Sequence, residues 1–283
     1  MGIKNLNRFL LDNCTSKSIR KQHLSTFKGK TIAIDTSIYM YKFQTENRLL
    51  ENMERFIQVL LKYNISPIFV FDGKPPPEKK ELIKQRANLK KEAEAKYNEL
   101  QQSILDNDSS DELSSKLAEL KTQFVRIHDT DITRVKQLME TLNITFVDAP
   151  GEADQLCVLL VKTKKAWACL SDDMDMFVYG CVRVLRFLDL TKHTIIYYDL
   201  HAILSELEWS ITLFREILVL SGTDYNIHST TSLEQTIKWL YKYKRYCKQQ
   251  DASKKSFYEW LIIYTNYIDN YEELKHIYEM FII

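Results

Sequence analysis

Four short apolar runs, each leading into carboxylates, constrain this chain most. Thr31-Ile-Ala-Ile34 runs into Asp35, and Pro67-Ile-Phe-Val-Phe71 into Asp72. Ile144-Thr-Phe-Val147 is followed, through a Pro-Gly turn, by Glu152 and Asp154. Ala166-Trp-Ala-Cys-Leu170 is followed by Asp172, Asp173 and Asp175. Runs of this length, rich in β-branched and aromatic residues, predict strands. Between them Leu49–Tyr63 and Thr133–Leu142 carry helical periodicity. Alternating strand and helix predicts an α/β fold, a mainly parallel twisted sheet flanked by helices on both faces. Two more strands are expected around Arg183–Phe187 and Thr194–Tyr198. In an open parallel sheet the carboxyl ends of the strands share the edge where ligands bind.

Each acid alone has an ordinary explanation. Asp72-Gly73 is a common turn dipeptide, Asp35 could cap a helix, and Asp172-Asp173 could be surface loop. Their agreement at four strand ends favours a site. Gathered carboxylates repel one another, so the gathering implies cations to neutralise it. A set of hard oxygen ligands suits Mg²⁺, with Mn²⁺ as a substitute. The cysteines number five and the histidines six, without paired metal-ligand spacing, which argues against zinc and for reduced thiols. No signal-peptide stretch opens the chain and no apolar run approaches a membrane span, so a soluble intracellular protein is expected. Net charge is +1, so any nucleic-acid surface must be local.

From Glu78 to about Arg126 the chain is long, charged and rich in helix formers, broken by Asp106-Asn-Asp-Ser-Ser-Asp111. This predicts two helices projecting from the sheet domain. After Trp209 the pattern is entirely helical, with Thr231-Ser-Leu-Glu234 as a capping box and a helical tail over Phe257–Ile283.

These motifs resemble the structure-specific 5′ nucleases of the flap endonuclease/XPG family. The resemblance rests on Met1-Gly-Ile-Lys-Asn-Leu6, Ala33-Ile-Asp-Thr-Ser37 with Tyr39-Met-Tyr41, and Val70-Phe-Asp-Gly-Lys-Pro-Pro76. It continues through Asp148-Ala-Pro-Gly-Glu-Ala-Asp154, Ser171-Asp-Asp-Met-Asp175 and Ser221-Gly-Thr-Asp-Tyr225, covering roughly residues 1–245. It implies a PIN-like 5′ nuclease core over 1–225, with a helical arch inserted at about 78–135. The helical region 226–283 would include a degenerate helix–two-turn–helix element. The resemblance assigns Asp35, Asp72, Glu152, Asp154, Asp173, Asp175 and Asp224 as ligands of two Mg²⁺ ions, with Asp172 as a non-ligand neighbour. Asp154 stands where flap endonucleases usually have Glu. Lys79 and Arg86 match cations that reach the scissile phosphate, placed on one helix face that Lys90 extends. Lys80, Lys84, Lys91 and Lys96 add positive potential. Arg126, on the returning helix, matches another cationic position, and Tyr41 an aromatic on which a base stacks.

The implied activity is 5′-flap endonuclease, with 5′–3′ exonuclease activity, on branched or flapped DNA in replication, repair or recombination. Products would carry 5′-phosphates. Two other readings stay open: an RNA-directed 5′ nuclease, and a catalytically inactive nucleic-acid-binding scaffold. The family's Gly-x-Gly turn is replaced by Thr231 and Leu233, which predicts a poorer duplex-phosphate and potassium site. No sliding-clamp motif or basic tail is seen at the C-terminus, as in compact relatives from large DNA viruses. Location in a nucleus or at a viral replication site stays open.

Overall fold

The computed structural model describes residues 2–106, 111–226, 231–249, 255–268 and 270–283. Its strands are β1 (Ile19–His23), β2 (Thr31–Asp35), β3 (Ser66–Phe71), β4 (Thr145–Asp148), β5 (Ala168–Leu170), β6 (Arg183–Asp189) and β7 (Thr194–Asp199). They form a seven-stranded sheet ordered β1-β7-β6-β5-β2-β3-β4. From β6 through β5, β2 and β3 to β4 every neighbour is parallel. β7 and β1 extend the sheet antiparallel. The strand order reverses between β2 and β5, the position where open α/β sheets open a ligand crevice.

The six expected strands are present, and β1 is an addition. Its sequence, Ile-Arg-Lys-Gln-His, buries only Ile19 and has no apolar alternation to signal a strand. Charged side chains on an edge strand also discourage pairing with another chain.

The helices are α1 (Leu6–Asn13), α2 (Thr36–Thr45), α3 (Leu49–Lys62), α4 (Lys80–Asp106), α5 (Asp111–Gln123), α6 (Asp129–Thr141) and α7 (Ala153–Lys162). They continue with α8 (Asp175–Val178), α9 (Leu200–Leu207), α10 (Ile211–Leu220), α11 (Leu233–Gln249), α12 (Phe257–Tyr264) and α13 (Tyr271–Met280). Two separate cores cover the two faces of the sheet. On one, Met53, Phe56, Ile57 and Leu60 of α3 recur at helical spacing and meet Tyr39, Phe43 and Phe69. On the other, α1 and α7 to α13 contribute, and Leu233, Leu240, Phe257, Trp260 and Phe281 join the same buried cluster as β5 and α7.

α4 and α5 pack on each other, with Tyr97 edge-on to Phe124 at 5.3 Å. Leu89 of α4 is 62% exposed, which fits a helix outside the sheet's cores. Residues 107–110 of the polar break lie outside the described residues. The helix expected from Thr133 starts earlier, at Asp129, where the backbone N–H of His128 donates to Asp131. Arg126 sits after α5 in the segment leading to α6, not on the returning helix. Lys79 is also displaced: it ends a 3-10 turn, Pro77–Lys79, ahead of α4, because three prolines delay the helix.

Candidate active site

The parallel register sets the site. Asp35 is the last residue of β2, and Asp72 follows β3 directly. Beyond β4, Glu152 caps α7 and Asp154 lies in its first turn. Beyond β5, Asp173 precedes α8 and Asp175 opens it. Gly73 is more than a turn residue. A Cβ there would lie 2.0 Å from the Ala149 carbonyl oxygen, and its N–H donates to the Gly151 carbonyl at 2.7 Å. That close approach seats Asp72 over the start of α7, where its Oδ1 accepts from the Ala153 N–H at 2.8 Å.

Hydroxyls and amides orient the acids. Ser37 donates to Asp72 Oδ2, and Ser171 donates to Asp35 Oδ2 at 3.0 Å across the β2/β5 boundary. The Asp175 N–H donates to Asp173 Oδ1 at 3.0 Å. Asp172 is turned elsewhere, accepting from the Phe187 N–H at 2.7 Å.

The acids disturb one another strongly. Burial first, then the charge of Asp72, pushes Asp35 up to about 7. Burial, then Asp35, Asp173 and Asp175, holds Asp154 well above the carboxylate range. Burial, then Asp173 and Asp224, does the same to Asp175. A gathering that resists its own ionisation is costly to a fold unless positive charge arrives.

Positive charge comes from the 3-10 turn at Pro77–Lys79 and from α4. Lys79 Nζ, nearly buried, lies 2.6 Å from Glu152 Oε1 and 3.6 Å from Asp224 Oδ2. Burial works against its ammonium, but Glu152 outweighs that and Asp224 adds, so its pKa is raised. Arg86 Nη2 donates to both oxygens of Asp224, at 3.0 and 2.9 Å. Lys90 turns aside: it donates to the Val125 carbonyl at 3.0 Å and sits 4.7 Å from the Tyr41 ring centroid. Tyr41 is 41% exposed, which leaves part of its ring open. Arg126 pairs with Glu94 of α4 at 2.7 Å.

No group of three or more His, Cys, Asp or Glu side chains among the described residues converges as a ready-made metal cage. Glu152, Asp224 and Asp72 each have both oxygens engaged by protein partners. Two buried carboxylate oxygens among these acids lack a hydrogen-bond partner, Asp154 Oδ1 and Asp175 Oδ1. Gly2 also presses on the site, since a Cβ there would meet Asp173 Oδ1 at 2.5 Å and Asp175 Oδ1 at 2.8 Å. Orphaned buried carboxylate oxygens in an all-oxygen set fit a hard divalent ion that keeps several waters.

The family model described as XPG N-terminal domain matches residues 1–93, which hold Asp35, Asp72, Lys79 and Arg86. The one described as XPG I-region matches 143–224, which hold the other five acids. The chain belongs to the flap endonuclease/XPG family. It is 32% identical over 247 residues to flap endonuclease 1-A of Sorghum bicolor, covering 80% of this chain and 62% of that relative. The chain therefore spans less than two thirds of that relative's length. Flap endonuclease-1 from Methanococcus jannaschii superposes with a TM-score of 0.60 at 25% identity, over 98% of this chain and 84% of the other. The catalytic core of Rad2 in complex with DNA substrate gives 0.66 at 21% identity, over 99% and 86%, a likeness of fold. The flap endonuclease/XPG family uses divalent metal ions, in keeping with the orphaned oxygens here.

Sequence reasoning passed over Tyr225. Its hydroxyl donates to Glu152 Oε2 at 2.6 Å, and its ring centroid lies 4.8 Å from Lys79 Nζ. Adjacency to Asp224 was the only available signal. Two expectations about the family's two-turn element need correction. Ser232, not Thr231, caps α11, accepting from the Gln235 N–H at 3.4 Å. Leu233 is buried in the core, so its side chain does not obstruct a phosphate. Thr231 instead turns its hydroxyl back onto the Leu220 carbonyl. Neither residue has a positive φ, so the turn is not built in the glycine form.

Proposed function

We propose that this chain is a structure-specific 5′ nuclease that hydrolyses phosphodiester bonds of flapped or branched DNA, leaving 5′-phosphates. The observation that carries this reading is the meeting of two elements. Acids from the carboxyl edge of β2 to β5 and from the segment after α10 converge with Lys79 and Arg86 at the base of the arch. Asp35, Asp72, Glu152, Asp154, Asp173, Asp175 and Asp224 would hold two Mg²⁺ ions, for which Mn²⁺ can substitute. Bound there, the ions would supply Lewis-acid activation of water and charge stabilisation around the phosphate.

The chain's own residues do the rest. Lys79 and Arg86, paired to carboxylates here, are placed to exchange those partners for the phosphate that the reaction makes more negative. Tyr41, braced by Lys90, offers a face on which a base can stack without regard to sequence. Arg126 reinforces the arch through Glu94. Residues 1–225 serve as the nuclease core, with the arch at about 78–135. Residues 226–283 act as a helical region that shares the core's buried cluster.

No observation favours an RNA-directed or inactive reading. No helix among the described residues is long and apolar enough to cross a membrane. A flap-cleaving role places the protein where DNA is replicated or repaired within the cell. The test is a panel of 5′-labelled single flaps, bubbles, blunt duplexes and single-stranded RNA with Mg²⁺ or EDTA. Mg²⁺-dependent cleavage at the flap junction is expected. Cleavage of RNA alone would replace the substrate, and no cleavage of any would remove the reading.

A further inference from the structure

α13 and the residue after it lie beyond the stretch that carries the acidic motifs, yet they reach back to the site. Phe281 is fully buried. Its ring centroid is 4.7 Å from that of Tyr179 and 5.3 Å from that of Tyr225, edge-on to the latter. The two tyrosine hydroxyls are 3.3 Å apart, and Gln155 donates to Tyr179 at 3.3 Å. Tyr225 then donates to Glu152 Oε2, whose other oxygen holds Lys79. A continuous set of contacts thus runs from Phe281 through Tyr225 to Glu152 and Lys79.

The helix that presents Phe281 is itself fixed. Tyr278 of α13 lies under the Arg215 guanidinium, 5.4 Å from its ring centroid. Arg215 Nε donates to the Val178 carbonyl at 2.8 Å, at the end of the short helix that Asp175 opens. Tyr258 of α12 meets the Tyr278 ring at 6.4 Å and donates to the Glu216 carbonyl at 2.8 Å. A hydroxyl that must donate to one carboxylate oxygen needs its ring held in a single rotamer, and a phenol ring is fixed only by what packs on it. Phe281 and Tyr179 supply that packing for Tyr225.

We propose that Phe281 is a positioning residue for the acidic site, packed against Tyr179 and Tyr225 so that the Tyr225 hydroxyl fixes the orientation of the Glu152 carboxylate. This rests on the nuclease reading for its rate effect, but not for its effect on the metal-binding carboxylates. The plain alternative is that Phe281 fills space and contributes to stability only.

The test compares wild type with Phe281→Ala, Phe281→Leu, Tyr225→Phe, the Phe281→Ala/Tyr225→Phe double variant, and Ile277→Ala as a buried control on α13. Three quantities are measured on each: single-turnover cleavage of a 5′ flap at saturating substrate, Mn²⁺ binding by electron paramagnetic resonance without DNA, and Tm. Phe281→Ala is expected to lower the rate about tenfold, the scale of a sub-ångström misplacement. It should also weaken Mn²⁺ binding several-fold, and Phe281→Leu should restore part of both. Because Phe281 acts through the Tyr225 hydroxyl, the double variant should be no slower than Tyr225→Phe alone. Ile277→Ala should lower Tm without changing rate or Mn²⁺ affinity. Phe281→Ala losing only Tm, or rate losses that multiply in the double variant, would overturn the proposal. If Phe281→Ala does not fold, Phe281→Leu and Tyr225→Phe carry the comparison. Absence of cleavage by wild type would count against the nuclease reading, while Mn²⁺ binding would still decide the role of Phe281.

Discussion

Arg86 and Asp224 are joined by two hydrogen bonds from one nitrogen, across 138 residues of chain. This pair ties α4 to the segment after α10, and with Lys79–Glu152 it places cations on two carboxylates proposed to hold metal. The proposed metal ions and these cations would therefore compete for the same carboxylates.

Removing Arg86 exposes that competition. Arg86→Ala should bind Mn²⁺ a few-fold more tightly, since Asp224 loses its partner. It should also cut flap DNA about 100-fold more slowly, since the developing charge loses a cation. Calorimetry without DNA and single-turnover kinetics read the two effects separately. Tighter metal binding with an unchanged rate would reduce Arg86 to a structural partner of Asp224.

Protonation of Asp35 sets a pH dependence for the metal-free protein. Its carboxyl is pushed up to about 7 by burial and by Asp72. An unfolded carboxyl releases its proton near pH 4. Between about 4 and 7 the folded state holds more protons than the unfolded, so stability falls as pH rises through that window. In EDTA, Tm should be several degrees higher at pH 5.5 than at pH 8, and saturating Mg²⁺ should recover the loss at pH 8. A Tm that rises from pH 5.5 to 8 in EDTA would mean the acids are not gathered.

The same repulsion makes Asp175→Asn an informative variant. Asp175 Oδ1 is buried without a hydrogen-bond partner, so removing its charge should raise the metal-free Tm by a few degrees. Cleavage should fall by at least about 1,000-fold if a metal ligand is lost. An active, destabilised variant would show that Asp175 is a structural residue.

How much of this was legible depends on the kind of contact. Asp35, Asp72, Glu152, Asp154, Asp173 and Asp175 could be grouped from sequence because parallel strands deliver their carboxyl ends to one edge. Asp224 could not, since the segment after a helix carries no periodicity, and only the family resemblance marked it. The arch cations were recognised, but Lys79 was placed on a helix that the prolines postpone. β1 was invisible because an edge strand of polar residues lacks the alternation that identifies a strand. Tyr225 and Phe281 meet across 56 positions through packing alone, which no local pattern encodes.

The turn before α11 should also behave differently from a glycine turn. Thr231 turns its hydroxyl onto the Leu220 carbonyl, and neither it nor Leu233 takes the positive φ of a glycine turn. Affinity for flap DNA should differ little between sodium and potassium. A turn lacking one phosphate contact should lower the slope of log affinity against log salt by about 0.9. Thr231→Gly should increase the potassium preference. A strong preference in the wild type would show a working cation site at that turn.

The acidic edge and the cations of the 3-10 turn and α4 are proposed to form one site for DNA hydrolysis. Single-turnover cleavage of a 5′-labelled flap by wild type and Asp173→Asn, each with Mg²⁺ or EDTA and with folding checked by Tm, tests it most directly. Mg²⁺-dependent cutting at the flap junction by wild type is expected, with none in EDTA and at least about a 1,000-fold loss in a folded Asp173→Asn, on the order of a lost metal ligand. Cleavage by Asp173→Asn at close to the wild-type rate under saturating Mg²⁺ would contradict it.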